Sequence, residues 1–146
     1  MKVFRTAAFL LISTLLVSVS CRKDDKDLSP PTVKIYSPEM NEEFEAGGVL
    51  EFHALFEDDV ELGEYHIDIH ENFDGHSHRG DYDTWTVDKT FSLSGDREEV
   101  KETFQIPEKA EPGDYHFTLR FTDKAGNAGG KNGATSYTLD IVVLGE

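Results

Sequence analysis

Two stretches of apolar–polar alternation restrict this chain more than anything else in it. From 49 to 58, Leu50, Phe52, Ala54 and Phe56 alternate with Glu51, His53, Leu55 and Glu57. From 114 to 123, Tyr115, Phe117, Leu119 and Phe121 alternate with His116, Thr118 and Arg120. A period of two sends successive side chains to opposite faces of a strand, so each stretch predicts a strand with one buried face. Further strands are expected at 32–37, ended by Pro38, and at 63–71, where Tyr65, Ile67 and Ile69 alternate with His66, Asp68 and His70. Others are expected at 84–93, with Trp85 and Val87 on one face, and at 100–106, stopped by Pro107. The last is 136–144, with Tyr137, Leu139, Ile141 and Val143 on one side. Gly, Pro, Asn and Asp separate these runs, and no stretch has a helical period. Seven short strands in about 115 residues predict an all-β fold, an antiparallel sandwich.

The first 20 residues read as a targeting segment. Lys2 and Arg5 precede an apolar run from Ala7 to Val19 that is too short, and too closely followed by charge, to span a bilayer. Ser18, Val19 and Ser20 then precede Cys21, the one cysteine in the chain. Small residues before a lone cysteine resemble a bacterial lipobox, although Ser18 stands where Leu is usual. The resemblance implies that Cys21 becomes the acylated N-terminus, attached to membrane by its lipid. Arg22, Lys23, Asp24, Asp25, Lys26 and Asp27 follow. They resemble the lysine-and-acidic signal that sends some Gram-negative lipoproteins to the outer face of the outer membrane. The expected organisation is a signal peptide over 1–20, an acylated, charged tether over 21–31 and one sandwich domain over 32–146.

Cleavage after residue 20 would remove Lys2 and Arg5 and no acidic residue, taking the formal charge from −15 to −17. Such a surface repels nucleic acid and anionic lipid and attracts cations, metal ions included. An acylated Cys21 leaves no thiol for a disulfide, a metal or a nucleophile.

The strand framework is similar to that of bacterial immunoglobulin-like domains. The similarity rests on Pro31 to Pro38, on Phe56-Glu57-Asp58-Asp59-Val60-Glu61-Leu62, and on Pro112-Gly113-Asp114-Tyr115 leading into Phe121 to Asn127. It implies an immunoglobulin-like sandwich in which Tyr115 forms a tyrosine corner. The antibody-type cysteine pair is missing. The histidine-rich stretch also resembles a bacterial lipoprotein family known as domain of unknown function 4625, which brings no activity with it.

That stretch holds four of the six histidines, His66, His70, His76 and His78, within thirteen residues. The first two lie on a strand; the last two lie in a polar run with Gly75 and Gly80 that reads as a loop. In the immunoglobulin-like architecture, 63–71 and 114–123 are antiparallel neighbours. His66, Asp68 and His70 then share an outer face with His116, which becomes a cross-strand neighbour of His70 or Asp68. His66 and His70 would be about 13 Å apart along a flat strand, too far to share an ion unless a bulge intervenes. The expected metal set is therefore His70, His76 and His78 with His116 or His66, and Asp68 or Asp74 as a carboxylate ligand or as a partner behind a ligand. Imidazoles without thiols suit Zn²⁺, Cu²⁺ or Ni²⁺ rather than Ca²⁺. His53 falls by parity on the outer face of the other sheet and is left out of the set.

Weaker candidates have simpler readings. Arg79-Gly80-Asp81 resembles the integrin-binding tripeptide, but so short a motif arises by chance. Tyr82 and Trp85 form a possible sugar-stacking platform, though Trp85 more simply fills the sandwich end. Asp58, Asp59, Asp123 and Asn127 are possible calcium ligands at a sandwich pole, though turn chemistry accounts for them too. His70-Glu71 lacks the second histidine of the helix-borne zinc-protease signature, and no nucleophile elbow or phosphate loop is present. No enzyme activity is expected. Two functions remain: a surface lipoprotein that binds a Zn- or Cu-type ion through its histidines, or a non-catalytic interaction or adhesion module that binds a surface protein partner.

Overall fold

The computed structural model describes residues 26–72, 81–130 and 134–145. Nine strands are present among them: β1 (Thr32–Ser37), β2 (Glu42–Glu45), β3 (Val49–Glu57), β4 (Leu62–Glu71), β5 (Val87–Ser92), β6 (Arg97–Gln105), β7 (Gly113–Asp123), β8 (Ala128–Gly129) and β9 (Tyr137–Leu144). They form two sheets, β1-β3-β6 and β2-β9-β7-β4-β5, with β8 paired to the end of β7. This is the two-sheet sandwich that the strand pattern predicts and the immunoglobulin-like fold that the resemblance implies. The alternating residues explain the two layers. Leu50, Phe52, Ala54 and Phe56 of β3 face Tyr65, Ile67 and Ile69 of β4 and Tyr115, Phe117, Leu119 and Phe121 of β7, and all are buried. Ring contacts join the layers, with Phe52 and Phe117 centroids 5.5 Å apart and Phe56 and Phe121 5.3 Å apart. Each fully buried Phe of this kind contributes about 1.5–3 kcal/mol relative to exposure.

The structure adds two strands to the seven expected. β2 is nearly all acidic, with Phe44 as its one apolar residue, so its sequence carries no strand signal. Its pairing comes from β9, with Phe44 opposite Val143. That pairing is parallel, the exception among the named strands of an otherwise antiparallel sandwich. β8 is only two residues long and is held by β7. Gly129 is there because a β-carbon would run into the Phe121 ring. The expected strand at 84–93 begins only at Val87, although Trp85 is buried against Tyr115 at 5.4 Å. Conversely, β6 starts at Arg97 rather than 100, because its charged first residues, Arg97 to Glu99, pair with Glu57 to Leu55 of β3, and β6 is an edge of that sheet. Charges there suit an edge, since they discourage pairing with another chain.

Tyr115 closes the bend before β7. Its hydroxyl donates a 2.8 Å hydrogen bond to the Glu111 carbonyl, four residues back. This is the tyrosine corner that the sequence resemblance implies. Burial, helped by the Glu71 and Glu111 carboxylates, pushes its pKa above the ordinary phenol range. Tyr115→Phe keeps the ring and loses the bond, so it should cost about 1 kcal/mol. Urea unfolding should show a lower midpoint with an unchanged m value; an unchanged midpoint would mean the corner is not stabilising.

Candidate functional site

The site grows from strand parity and register. β4 lies between β7 and β5, so its outward residues have neighbours on both sides. His70 is directly opposite His116 of β7, and His116 is opposite Asp140 of β9. One row of the outer face thus reads Asp140, His116, His70 across three strands. The two imidazoles meet edge to face, with centroids 5.4 Å apart and planes at 88°. Each has a carboxylate beside it. His70 Nδ1 is hydrogen-bonded to Asp68 Oδ1, two residues back on the same strand. His116 Nε2 lies 3.3 Å from Asp140 Oδ1. Both rings stay partly open to solvent, His70 the more so at 46 % exposed.

His66 belongs to a different neighbourhood. Its Nδ1 is 2.9 Å from the Thr90 hydroxyl and its Nε2 is 3.5 Å from Asp88, both on β5. The sequence placed His66 with the set only if the strand were shortened between it and His70, and the β4–β7 register runs unbroken from Glu64 to Glu71. His76, His78, Asp74, Cys21 and the Arg79-Gly80 pair lie outside the described residues. Among the described residues, the two imidazoles and their carboxylates do not bring three ligand atoms within 4.8 Å of one another. The described sheet supplies a pair of donors and not a complete centre. Asp140 was missed in the sequence, though its signal was there. With Leu139 and Ile141 turned inward, it faces out, and β9 borders β7.

The remaining candidates are settled by geometry. Trp85 is 3 % exposed and Tyr82 51 %, so they do not make a shared stacking platform, and Trp85 fills the core as its simpler reading held. Asp58 Oδ2 accepts the amides of Val60 and Glu61 at 2.9 and 2.8 Å. Asp123 accepts the Asn127 amide at 2.7 Å and its side-chain nitrogen at 2.6 Å. Both do turn work. The described tether bends back onto this pole, where Asp27 joins Asp58 and Asp59 with ligand atoms within 4.8 Å of one another.

A family model described as Domain of unknown function (DUF4625) matches residues 19–139. The chain belongs to that family. Among curated proteins none matches significantly. Two crystal structures of β-glucosidase from Listeria innocua, the second of them in complex with glucose, resemble this DUF4625 domain with TM-scores of 0.53 and 0.51. Both are 11% identical to it; the alignments cover 80% and 77% of this chain and 16% of the enzyme. At that identity the likeness is one of fold alone, and this chain spans only a small part of the enzyme's length. The CARDB domain of a Pyrococcus furiosus protein aligns with a TM-score of 0.47 and 15% identity, over 79% of this chain and 89% of its own.

His53 provides a contrast on the other sheet. Its ring lies tilted against Tyr36 with centroids 4.6 Å apart, and its Nε2 is 2.6 Å from Glu99. That hydrogen bond, with the nearby charges of His53, Lys101 and Arg97, outweighs desolvation and holds the Glu99 carboxyl below the usual glutamate range. A depressed carboxyl pKa stabilises the fold above the unfolded pKa, and that contribution is lost as pH falls through the native value. In His53→Ala, Glu99 should titrate closer to the ordinary value of about 4.3. Carbon NMR of the carboxyl reads this directly, and an unmoved titration would rule out His53 as the cause.

Proposed function

We propose that this DUF4625 domain binds a transition-metal ion of the Zn or Cu type on the outer face of its larger sheet. The observation that carries the reading is the direct cross-strand pairing of His70 and His116, each with a carboxylate beside it. Metal-binding imidazoles ordinarily keep a hydrogen-bond acceptor on the nitrogen that does not face the metal. His76 and His78 are the proposed further ligands, with Asp74 as a carboxylate in reserve. The formal charge of −17 on a chain cleaved after residue 20 favours the approach of cations. In this reading the protein is a lipoprotein of the outer membrane, anchored through Cys21, exposed on the cell surface and without catalytic activity.

One observation favours a second reading. All four described histidines, His53, His66, His70 and His116, already have carboxylate partners. A polar face satisfied in this way needs no ion, and such a face suits an interaction or adhesion module docking a surface protein. Untagged protein analysed for bound metal, then titrated with Zn²⁺ and Cu²⁺, separates the two. The His70/His116 double alanine and the His70/His76/His78 triple alanine variants should each bind at least about tenfold more weakly than wild type. Equal affinity in all three proteins would leave only the interaction module. The anchor has its own test: Cys21→Ala should move the protein from the membrane fraction to the soluble fraction and abolish its labelling with palmitate.

A further inference from the structure

Resting on the metal reading above, we propose that Asp68 and Asp140 are positioning residues that set His70 and His116 in opposite tautomers. His70 then presents Nε2 to the ion and His116 presents Nδ1. A neutral imidazole carries its proton on one nitrogen and a lone pair on the other. The nitrogen that faces a carboxylate keeps the proton, because a lone pair there would face another lone pair. Asp68 accepts from Nδ1 of His70. This is the tautomer that an unconstrained histidine favours less, so something must hold it. Asp140 Oδ1 lies 3.3 Å from Nε2 of His116, a charge contact that favours the proton on Nε2 and so the lone pair on Nδ1.

Both carboxylates are held in place by the sheet. Asp68 sits mid-strand between Thr118 of β7 and Asp88 of β5, and Asp88 is directed to His66 instead. Asp140 sits mid-strand in β9, and its carbonyl accepts the Asn41 amide at 2.7 Å. A residue on the last strand thereby joins the site seventy residues after His70. The assignment also decides a choice that the sequence left open: Asp68 stands behind a ligand and is not one itself. A carboxylate in that place fixes the ring and makes its free nitrogen a better donor.

Metal-free protein labelled with ¹⁵N-histidine reports the tautomers by long-range ¹⁵N–¹H correlation at alkaline pH. His70 should carry its proton on Nδ1 and His116 on Nε2. Asp68→Ala should move His70 to the Nε2–H form and leave His116 as it was. Asp68→Asn, whose amide oxygen still accepts, should retain the wild-type form of His70. Asp140→Ala should turn His116 into a mixture of both forms. Zn²⁺ affinity should fall about 10- to 100-fold in the Asp68→Ala and Asp140→Ala variants. Wild-type protein that binds Zn²⁺ but shows His70 protonated on Nε2, or an Asp68→Ala variant with His70 unmoved, would overturn this assignment alone. The stated tautomers in a wild type that binds neither Zn²⁺ nor Cu²⁺ would uphold the carboxylates' hold on the rings and overturn the metal reading.

Discussion

Burial of one face of β3 against one face of β4 and β7 is the interaction on which the rest of the structure depends. Each of these strands places an unbroken row of apolar side chains into the space between the sheets, and the rows interlock through Phe52, Phe56, Tyr65, Phe117 and Phe121. A slip of one residue in any of them would exchange buried and exposed faces completely. Register in the centre of the molecule is therefore strongly specified, and what the outer face presents follows from it.

That coupling fixes the spacing of the outer row of the larger sheet. His70 and His116 are opposite each other because Ile69 pairs with Phe117 and both are in the core. The imidazoles need no contact of their own to stay adjacent. Asp140 is held by the same logic, since Leu139 and Ile141 pack against the core on either side of it. Side chains on rigid central strands keep their spacing better than side chains on loops, which is what a binding site requires. The weaker pieces of the fold, β2 and β8, are each held by a single neighbour, and β2 begins beside the Asp140 end of this row.

The faces of the central strands were legible from residue identity, because the period of two is a local property. The tyrosine corner came from the resemblance to immunoglobulin-like domains, which place a tyrosine where Tyr115 stands. The start of β6 and the whole of β2 were not legible, because Arg97 to Glu99 and, apart from Phe44, Glu42 to Glu45 are polar and become strands only by bonding to β3 and β9. The histidine cluster was legible as composition. Its division was not, since His66 turns toward Asp88 and Thr90 on a strand that its own segment does not announce.

The sequence by itself determined that this is an all-β sandwich, which side chains point inward, and that His66, Asp68 and His70 point outward together, while the resemblance to immunoglobulin-like domains put His116 beside them. The sequence did so because alternation and turn residues act over a few neighbouring positions. Only the tertiary structure decided which outward residues meet: His70 with His116, His116 with Asp140, and Asp68 with His70 rather than with β5. Those meetings depend on strand order and register across segments up to 46 residues apart. They are set by how the buried faces pack, to which the exposed residues contribute nothing.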